Sequence, residues 1–308
     1  MIPFAEFAPA LQATGNCFRP TLVLYAYYDE TGTHGTSKAV SVFGLIGNEA
    51  AWADAQNKWV ARKDEDGIKV FHTYYCNVGE GEFCNMPRPK RDLLKSDLAE
   101  IVGHSDLYEL GVSVVRKDWE SVTYERFKRR YQTPYHLCFE NAVILAMEWS
   151  KEHANEEPVS VVFAQQDEYA EFSEALIDFL LKTKMSKIVS SIAISTPEKM
   201  VALQVSDLAA NLTGRRLLNR NKALTPLDKK FVGDGSRNSK EMLKILGAPF
   251  MSAAVKRLQT GDVDERVTSH KLQTFYAQKE EAGVRKERKS WGLPQSIKSA
   301  INKFKKRR

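Results

Sequence analysis

Two acidic pairs and one isolated aspartate carry the chemistry this sequence could support. Asp29 and Glu30 close the apolar run TLVLYAYY, Asp167 and Glu168 follow VSVVFAQQ, and Asp207 sits inside KMVALQVSDLAANLTGR. Carboxylates at the end of a buried strand cost free energy unless something compensates them. For Asp29-Glu30 a divalent metal, a catalytic role or a solvated turn through Thr31, Gly32 and Gly35 would each do so. Asp207 poses the sharper problem. Val201, Val205, Leu208 and Leu212 form one apolar stripe at helical spacing, with Gln204, Asp207, Asn211 and Arg215 beside it and Ala202, Ala209 and Ala210 around them. The helix is apolar on most of its circumference, so Asp207 is expected in a dry setting, where a carboxylate must be paired, metal-bound or protonated. Lys199, Arg215 or Arg216 could pair it; so could a cation shared with Asp29 and Asp167. Carboxylates converging from strand ends and a following helix suit hard, oxygen-liganded Mg2+ or Mn2+, and such ions can clamp the oxygens of a phosphodiester. His72 could contact a phosphate or act as a general base, or could simply be a hydrogen-bonded histidine at a strand end. Lys199 could steer phosphate or stand in solvent.

The elements that must position these groups read as an α/β chain. Strands are expected at Thr21–Tyr28, Ala39–Ile46, Ile68–His72, Tyr108–Val115, after Pro158 (VSVVFA) and at Ile188–Ile194, the first two joined as an antiparallel hairpin. Helices are expected from Asn48 to about Arg62, Arg91–Val102, Trp119–Arg130, Pro134–His153 and Tyr169–Lys182. A last one should run from the capping box Ser195–Glu198 to about Leu218. Residues 74–90 read as a long irregular loop. Beyond Asn219 the pattern is charged and helical, with a Gly-rich break at Gly233–Asn238. The layout is a mixed sheet with helices on its faces and a helical C-terminal extension. Ligands in such sheets favour the carboxyl ends of the strands.

Composition sets the class. Hydrophobic residues at 43% and charged residues at 27% describe an ordinary soluble globular chain. No apolar run approaches the roughly 18 residues of a membrane span. The N-terminus carries Glu6 in its apolar part and lacks a basic region, unlike a signal peptide. Cys17, Cys76, Cys84 and Cys138 make no disulfide framework or zinc knuckle and read as reduced thiols of a cytoplasmic protein. The net charge of +6 is a property of the tail: Glu281–Arg308 holds ten Lys/Arg against two Asp/Glu. Lys303, Lys305, Lys306, Arg307 and Arg308 close it and would suit a phosphate backbone, although a solvated terminus has the same composition.

A strand ending in D-E-T-G (Asp29 to Gly32), F-G-L-I-G (Phe43 to Gly47), Phe71-His72, the acidic cluster Gln165 to Glu168, and L-Q-V-S-D-L-A (Leu203 to Ala209) together resemble one group, the domain-of-unknown-function family 3800. The resemblance spans about residues 21 to 218 and implies a ribonuclease H-like domain over 1–218, with 219–308 a helical extension ending in the basic tail. It further implies a metal-dependent nuclease acting on DNA or RNA, of the kind found in phage-defence and mobile-element neighbourhoods, with Mg2+ or Mn2+ held by Asp29, Asp167 or Glu168, and Asp207. Enzymes of that fold often take a further Glu from a helix after the first strands; Glu49 and Glu140 are the candidates. Lys199, Arg215 and the tail would then meet nucleic acid. A non-catalytic nucleic-acid-binding protein using the tail and Arg126–Arg130 is the alternative. A haloacid-dehalogenase-like phosphatase is a weaker one, because D-E-T-G-T also fits a motif in which Asp29 is the nucleophile.

Overall fold

The structure is a computed structural model that describes residues 23–33, 37–166, 177, 180, 187–218, 223–232 and 241–260. Asp167, Glu168, Gly233–Asn238 and the basic tail lie outside the described residues. The chain divides into two compact units, Met1–Lys256 and Arg257–Arg308, and the first contains every strand among the described residues.

Strands β1 (Leu24–Thr31), β2 (Ala39–Asn48) and β3 (Tyr108–Val115) form an antiparallel meander. On the other side of β1, β4 (Val159–Ala164) runs parallel to it, and β5 (Val189–Ser195) runs parallel to β4. A sixth strand, β6 (Glu241–Leu246), lies parallel to β3, so the sheet order is β5-β4-β1-β2-β3-β6. The meander with two parallel strands beyond its first member is the ribonuclease H-like arrangement. β6 changes the reading of residues beyond 219 as helical, and it extends that arrangement at the edge. Only α8 (Pro226–Val232) and α9 (Ala248–Thr260) are helical among the described residues there.

Helices cover both faces. α1 (Glu49–Asp64), α3 (Arg88–Gly103) and α7 (Val201–Leu218) share one face, and α6 (Pro134–His153) covers the other. The period-2 alternation of a strand decides which side each residue serves. Tyr27 joins Trp52, Trp59, Leu203 and Leu208 in the core under α7, while its neighbour Tyr28 stacks on Phe163 and donates its hydroxyl to the Ala142 carbonyl of α6 at 3.0 Å. Asn48 caps α1 through Ala51 N–H, as its sequence context predicts.

Four expectations change. Ile68–His72 is not a strand, because no strand of the sheet offers it a partner. The segment from 74 to 90 is more ordered than a loop: it contains α2 (Thr73–Val78) and a 3-10 turn at Gly81–Phe83, and α3 begins at Arg88. The helix expected over 119–130 is two, α4 (Arg116–Ser121) and α5 (Glu125–Tyr131), interrupted at Val122-Thr123. Finally, Ser195–Glu198 is no capping box. Ser195 ends β5, residues 197–199 form a turn, and the helix starts at Val201.

The close approach of α7 to the sheet depends on two glycines. Phe43 of β2 lies opposite Gly111 of β3, and a Cβ at Gly111 would stand 2.5 Å from Phe43 Cε1. A Cβ at Gly214 of α7 would meet Thr31 Cγ2 at 2.8 Å and Phe43 Cε2 at 3.7 Å. The Phe43 ring therefore fills the space that Gly111 leaves, and Thr31 fills the space beside Gly214. Gly111→Ala is expected to destabilise the chain by about 2–3 kcal/mol through overpacking, measured by urea unfolding. Phe43→Leu in the same chain should recover part of that loss; strictly additive effects would show that the ring is not what the glycine accommodates.

Candidate functional site

β1 carries Asp29 to the end of the sheet on the α7 face, and α7 brings Asp207 down onto it. Their relative register has an identifiable cause. Ser206 Oγ donates to the Tyr27 carbonyl at 2.9 Å, which fixes α7 against β1 two residues before Asp29. Asp207 then lies close enough to Asp29 for the two carboxyls to act on each other. Residues 202–210 of α7 are all buried, Asp207 included at 8% exposure. The dry setting expected from the apolar stripe is the one observed.

Residues 68–72 pass beneath this helix without joining the sheet, and side chains take the place of a strand partner. The Glu82 carboxylate accepts from Lys69 N–H and Val70 N–H at 2.6 and 2.9 Å. Gln204 Oε1 accepts from Phe71 N–H at 3.0 Å, while its Nε2 donates to the Pro197 carbonyl at 2.8 Å. Asp207 Oδ2 accepts from Thr73 N–H at 2.7 Å. From the α1 side, the Lys63 ammonium donates to the carbonyls of Ile68 and Lys69 at 3.0 and 2.8 Å. Thus Gln204 and Asp207 of the L-Q-V-S-D-L-A run hold the segment that carries Phe71-His72, and Ser206 holds β1.

His72 stands at the edge of the site. Its Nδ1 lies 3.5 Å from Asp207 Oδ2 and accepts from Tyr74 N–H at 3.3 Å as the N-cap of α2. A ring nitrogen that accepts a backbone N–H is the unprotonated one, so the neutral ring carries its proton on Nε2.

Glu30 is closer to the chemistry than strand alternation suggests. Its backbone N–H donates to Asp29 Oδ1 at 2.9 Å, and its carboxyl is in hydrogen-bonding contact with that of Asp29. Period-2 alternation would put Glu30 on the opposite side of β1 from Asp29, in a turn or supporting role, yet its carboxyl acts on that of Asp29. Three carboxyls, Asp29, Glu30 and Asp207, act on one another. Burial, then the charges of Glu30 and Asp207, push the Asp29 carboxyl well above the usual carboxylate range. Burial raises Glu30 to about 7. Burial also raises Asp207, opposed by the His72 ring when it is protonated and by the hydrogen bond from Thr73.

The cations that could have paired Asp207 are occupied elsewhere. Arg215 reaches Asp228 at 2.5 Å, and Arg216 bridges Glu109 and Glu241 at 3.4 and 2.7 Å. Lys199 is exposed on the turn before α7, with its N–H bonded to the Thr196 carbonyl. Among the described residues no lysine or arginine pairs with Asp29, Glu30 or Asp207. Glu140, a candidate for a further acidic group, pairs with Arg130 at 2.5 Å on α6, and Glu49 stands in the first turn of α1.

What the cluster can do follows from its chemistry. Like charges in contact need a proton or a cation between them. Carboxylate oxygens are the donors a hard divalent ion takes, and Asp29 with Asp207 supplies two. Among the described residues no group of three His, Cys, Asp or Glu is arranged to hold a metal ion. β4 ends beside β1, with Phe163 paired to Tyr28, and Gln165 N–H bonds the Ser195 carbonyl of β5. The chain thus leaves the sheet on the same end as Asp29, just before Asp167 and Glu168. Elsewhere, Cys76, Cys84 and Cys138 are free thiols, and among the described residues no helix is long and apolar enough to cross a membrane.

No protein-family model matches the chain, and no curated protein matches it significantly. Among solved structures it is similar to a chain in the PCNA:RNase HII complex from Archaeoglobus fulgidus, at 13% sequence identity and a TM-score of 0.35, over 78% of this chain and 91% of that one.

Proposed function

We propose that this chain is a Mg2+- or Mn2+-dependent nuclease of the domain-of-unknown-function family 3800 that hydrolyses phosphodiester bonds of DNA or RNA. The observation that carries the reading is the juxtaposition of Asp29 and Asp207, two carboxyls that act on each other from a central strand end and a buried helix, with no lysine or arginine paired to either among the described residues. A purely structural pair would be an expensive way to join α7 to β1, since Ser206 already does so. The hairpin that follows Asp29 also weighs against the phosphatase alternative, whose fold needs a crossover or cap there.

Asp29 and Asp207 would hold the ion, and Asp167 or Glu168 is the natural third ligand from the segment that leaves β4. When bound, the ion would supply Lewis-acid polarisation of a phosphoryl oxygen and an activated water. The chain's own groups prepare the rest. Thr73 N–H orients the Asp207 carboxyl. Nε2–H of His72 is a donor suited to an anionic phosphate oxygen, a role that fits the observed hydrogen bonding better than that of general base. Lys199, exposed at the start of α7, adds positive charge on the approach. The test is direct: the full chain with Mn2+ or Mg2+ should cleave labelled DNA or RNA, and EDTA should stop it. Intact substrates of both kinds with both metals would end the proposal in favour of simple nucleic-acid binding.

A further inference from the structure

Exposed aromatic rings stand next to the carboxylates. Tyr74 and Tyr75 of α2 are 56% and 43% exposed, and the His72 side chain is 43% exposed. They form a continuous row. The His72 ring lies 4.9 Å from Tyr75, and Tyr75 lies 5.6 Å from Tyr74. One end of the row touches Asp207 through His72 Nδ1; the other end projects into solvent.

A six-residue helix rarely holds its side chains firmly by itself, but this one is tied down at both ends. Thr73 N–H bonds Asp207 at its start. At its finish, Gly79 closes it in a left-handed conformation, and Arg91 Nη1 donates to the carbonyls of Cys76 and Asn77 at 2.6 and 3.0 Å. Lys95 Nζ adds a bond to Asn77 Oδ1 at 2.7 Å. The two tyrosines therefore stand on a fixed base, Tyr75 flanked by His72 and Gly81 and Tyr74 the more exposed of the two. Tyrosine rings carry large apolar faces, and those of nucleobases are their natural complement. In a duplex the base faces are already stacked, and only unpaired nucleotides can offer them.

We infer that Tyr74 and Tyr75, continued by His72, form a stacking platform that selects single-stranded nucleic acid and leads its backbone to Asp29 and Asp207. The inference rests on the nuclease reading for the identity of the site, but its test does not require cleavage. The platform would recognise base faces, not base edges, so its selectivity is for unpaired strands over duplex with little preference for sequence.

The experiment compares a fluorescently labelled single-stranded 20-mer with the blunt duplex of the same sequence, both titrated with the full chain in EDTA. Raised salt screens backbone contacts common to both forms. Single strand is expected to bind at least about tenfold more tightly than duplex. Tyr74→Ala and Tyr75→Ala should each weaken single-strand binding roughly tenfold, as loss of one stacking ring does, and leave duplex binding little changed. Tyr74→Phe and Tyr75→Phe, which keep the ring, should retain the affinity. Equal affinity for the two forms, unchanged single-strand affinity in the alanine variants, or no single-strand binding at all would each overturn the platform; rings that serve a protein partner would give the second result. Cleavage is read separately with Mn2+. Ring-dependent binding without cleavage sinks the nuclease reading and keeps the platform, whereas cleavage indifferent to both tyrosines does the reverse.

Discussion

Asp207→Asn should yield a chain that is more stable than the parent in EDTA at neutral pH and yet inactive. The side chains have nearly the same shape. The asparagine carbonyl can still accept from Thr73 N–H, now 2.7 Å from Asp207 Oδ2, and its amide can donate toward Asp29, where the parent has a carboxyl against a carboxyl. One like charge leaves a buried cluster, and a donor enters. A gain in stability is expected, because burial and like charge disfavour the ionised carboxyl that the amide replaces. At the same time a charged oxygen ligand is lost. Cleavage should fall by at least about a hundredfold, beyond what loss of a merely supporting group costs. Thermal melting in EDTA and single-turnover cleavage with Mn2+ measure the two effects on one preparation. A variant that is both less stable and inactive would mean that Asp207 serves the fold, and one that cleaves normally would remove it from the site.

This pairing of opposite effects bears on what could be read before the structure. Asp29 and Asp207 were legible because each violates its surroundings: an acid at the end of an apolar strand, and an acid on a helix that is apolar nearly all round. The five strands from β1 to β5 were legible from short Val/Ile/Tyr-rich runs, and α6 from Thr133-Pro134 followed by a long apolar helix. What failed depended on partners far away in sequence. Ile-Lys-Val-Phe-His has strand composition, but its amides are taken by Glu82, Gln204 and Asp207, the last two more than 130 residues on. No periodicity encodes that. β6 was missed for a related reason: EMLKIL is short and charged, and it becomes a strand by lying parallel to β3. Its Glu241 is steadied there by Arg216 at 2.7 Å. Glu30 was misjudged because alternation fixes the direction of Cβ, not of a carboxyl three bonds further out.

The other roles in L-Q-V-S-D-L-A were in view but unread. Gln204 and Ser206 are small departures from an apolar helix, and each proved to be a fixed hydrogen-bonding group, one to the Phe71-His72 segment and one to β1. A polar residue on a buried helix face must find a partner. The pattern therefore predicted that partners exist, though not which ones. The same argument shows why Asp207 stands apart from its neighbours: Gln204 and Ser206 are satisfied by neutral groups, whereas Asp207 retains a charge to be balanced.

That charge makes the stability of the metal-free chain depend on pH in an unusual direction. Asp29, Glu30 and Asp207 all hold their protons to higher pH in the folded chain than in the unfolded one. Between about pH 4, where unfolded carboxyls titrate, and the folded values, the native state binds more protons than the unfolded state. Stability therefore falls as pH rises across that window, and it continues to fall through about 7, the Glu30 value. Paired carboxylates such as Asp66 and Asp228 are shifted down; their contribution is lost only as pH falls below about 4, so they do not mask the effect. The three acids titrate as one coupled set, and partial solvent access of Glu30 moderates its share, which leaves a loss of about 2 kcal/mol between pH 5 and pH 8 in EDTA. A divalent cation takes the place of the protons. Millimolar Mg2+ or Mn2+ should therefore raise the melting temperature little at pH 5 and by several degrees at pH 8, while Asp207→Asn should flatten both the pH slope and the metal response. A metal-induced shift of the same size at both pH values, or one undiminished in Asp207→Asn, would place the ion elsewhere and leave the carboxyl cluster as a proton-sharing feature of the fold.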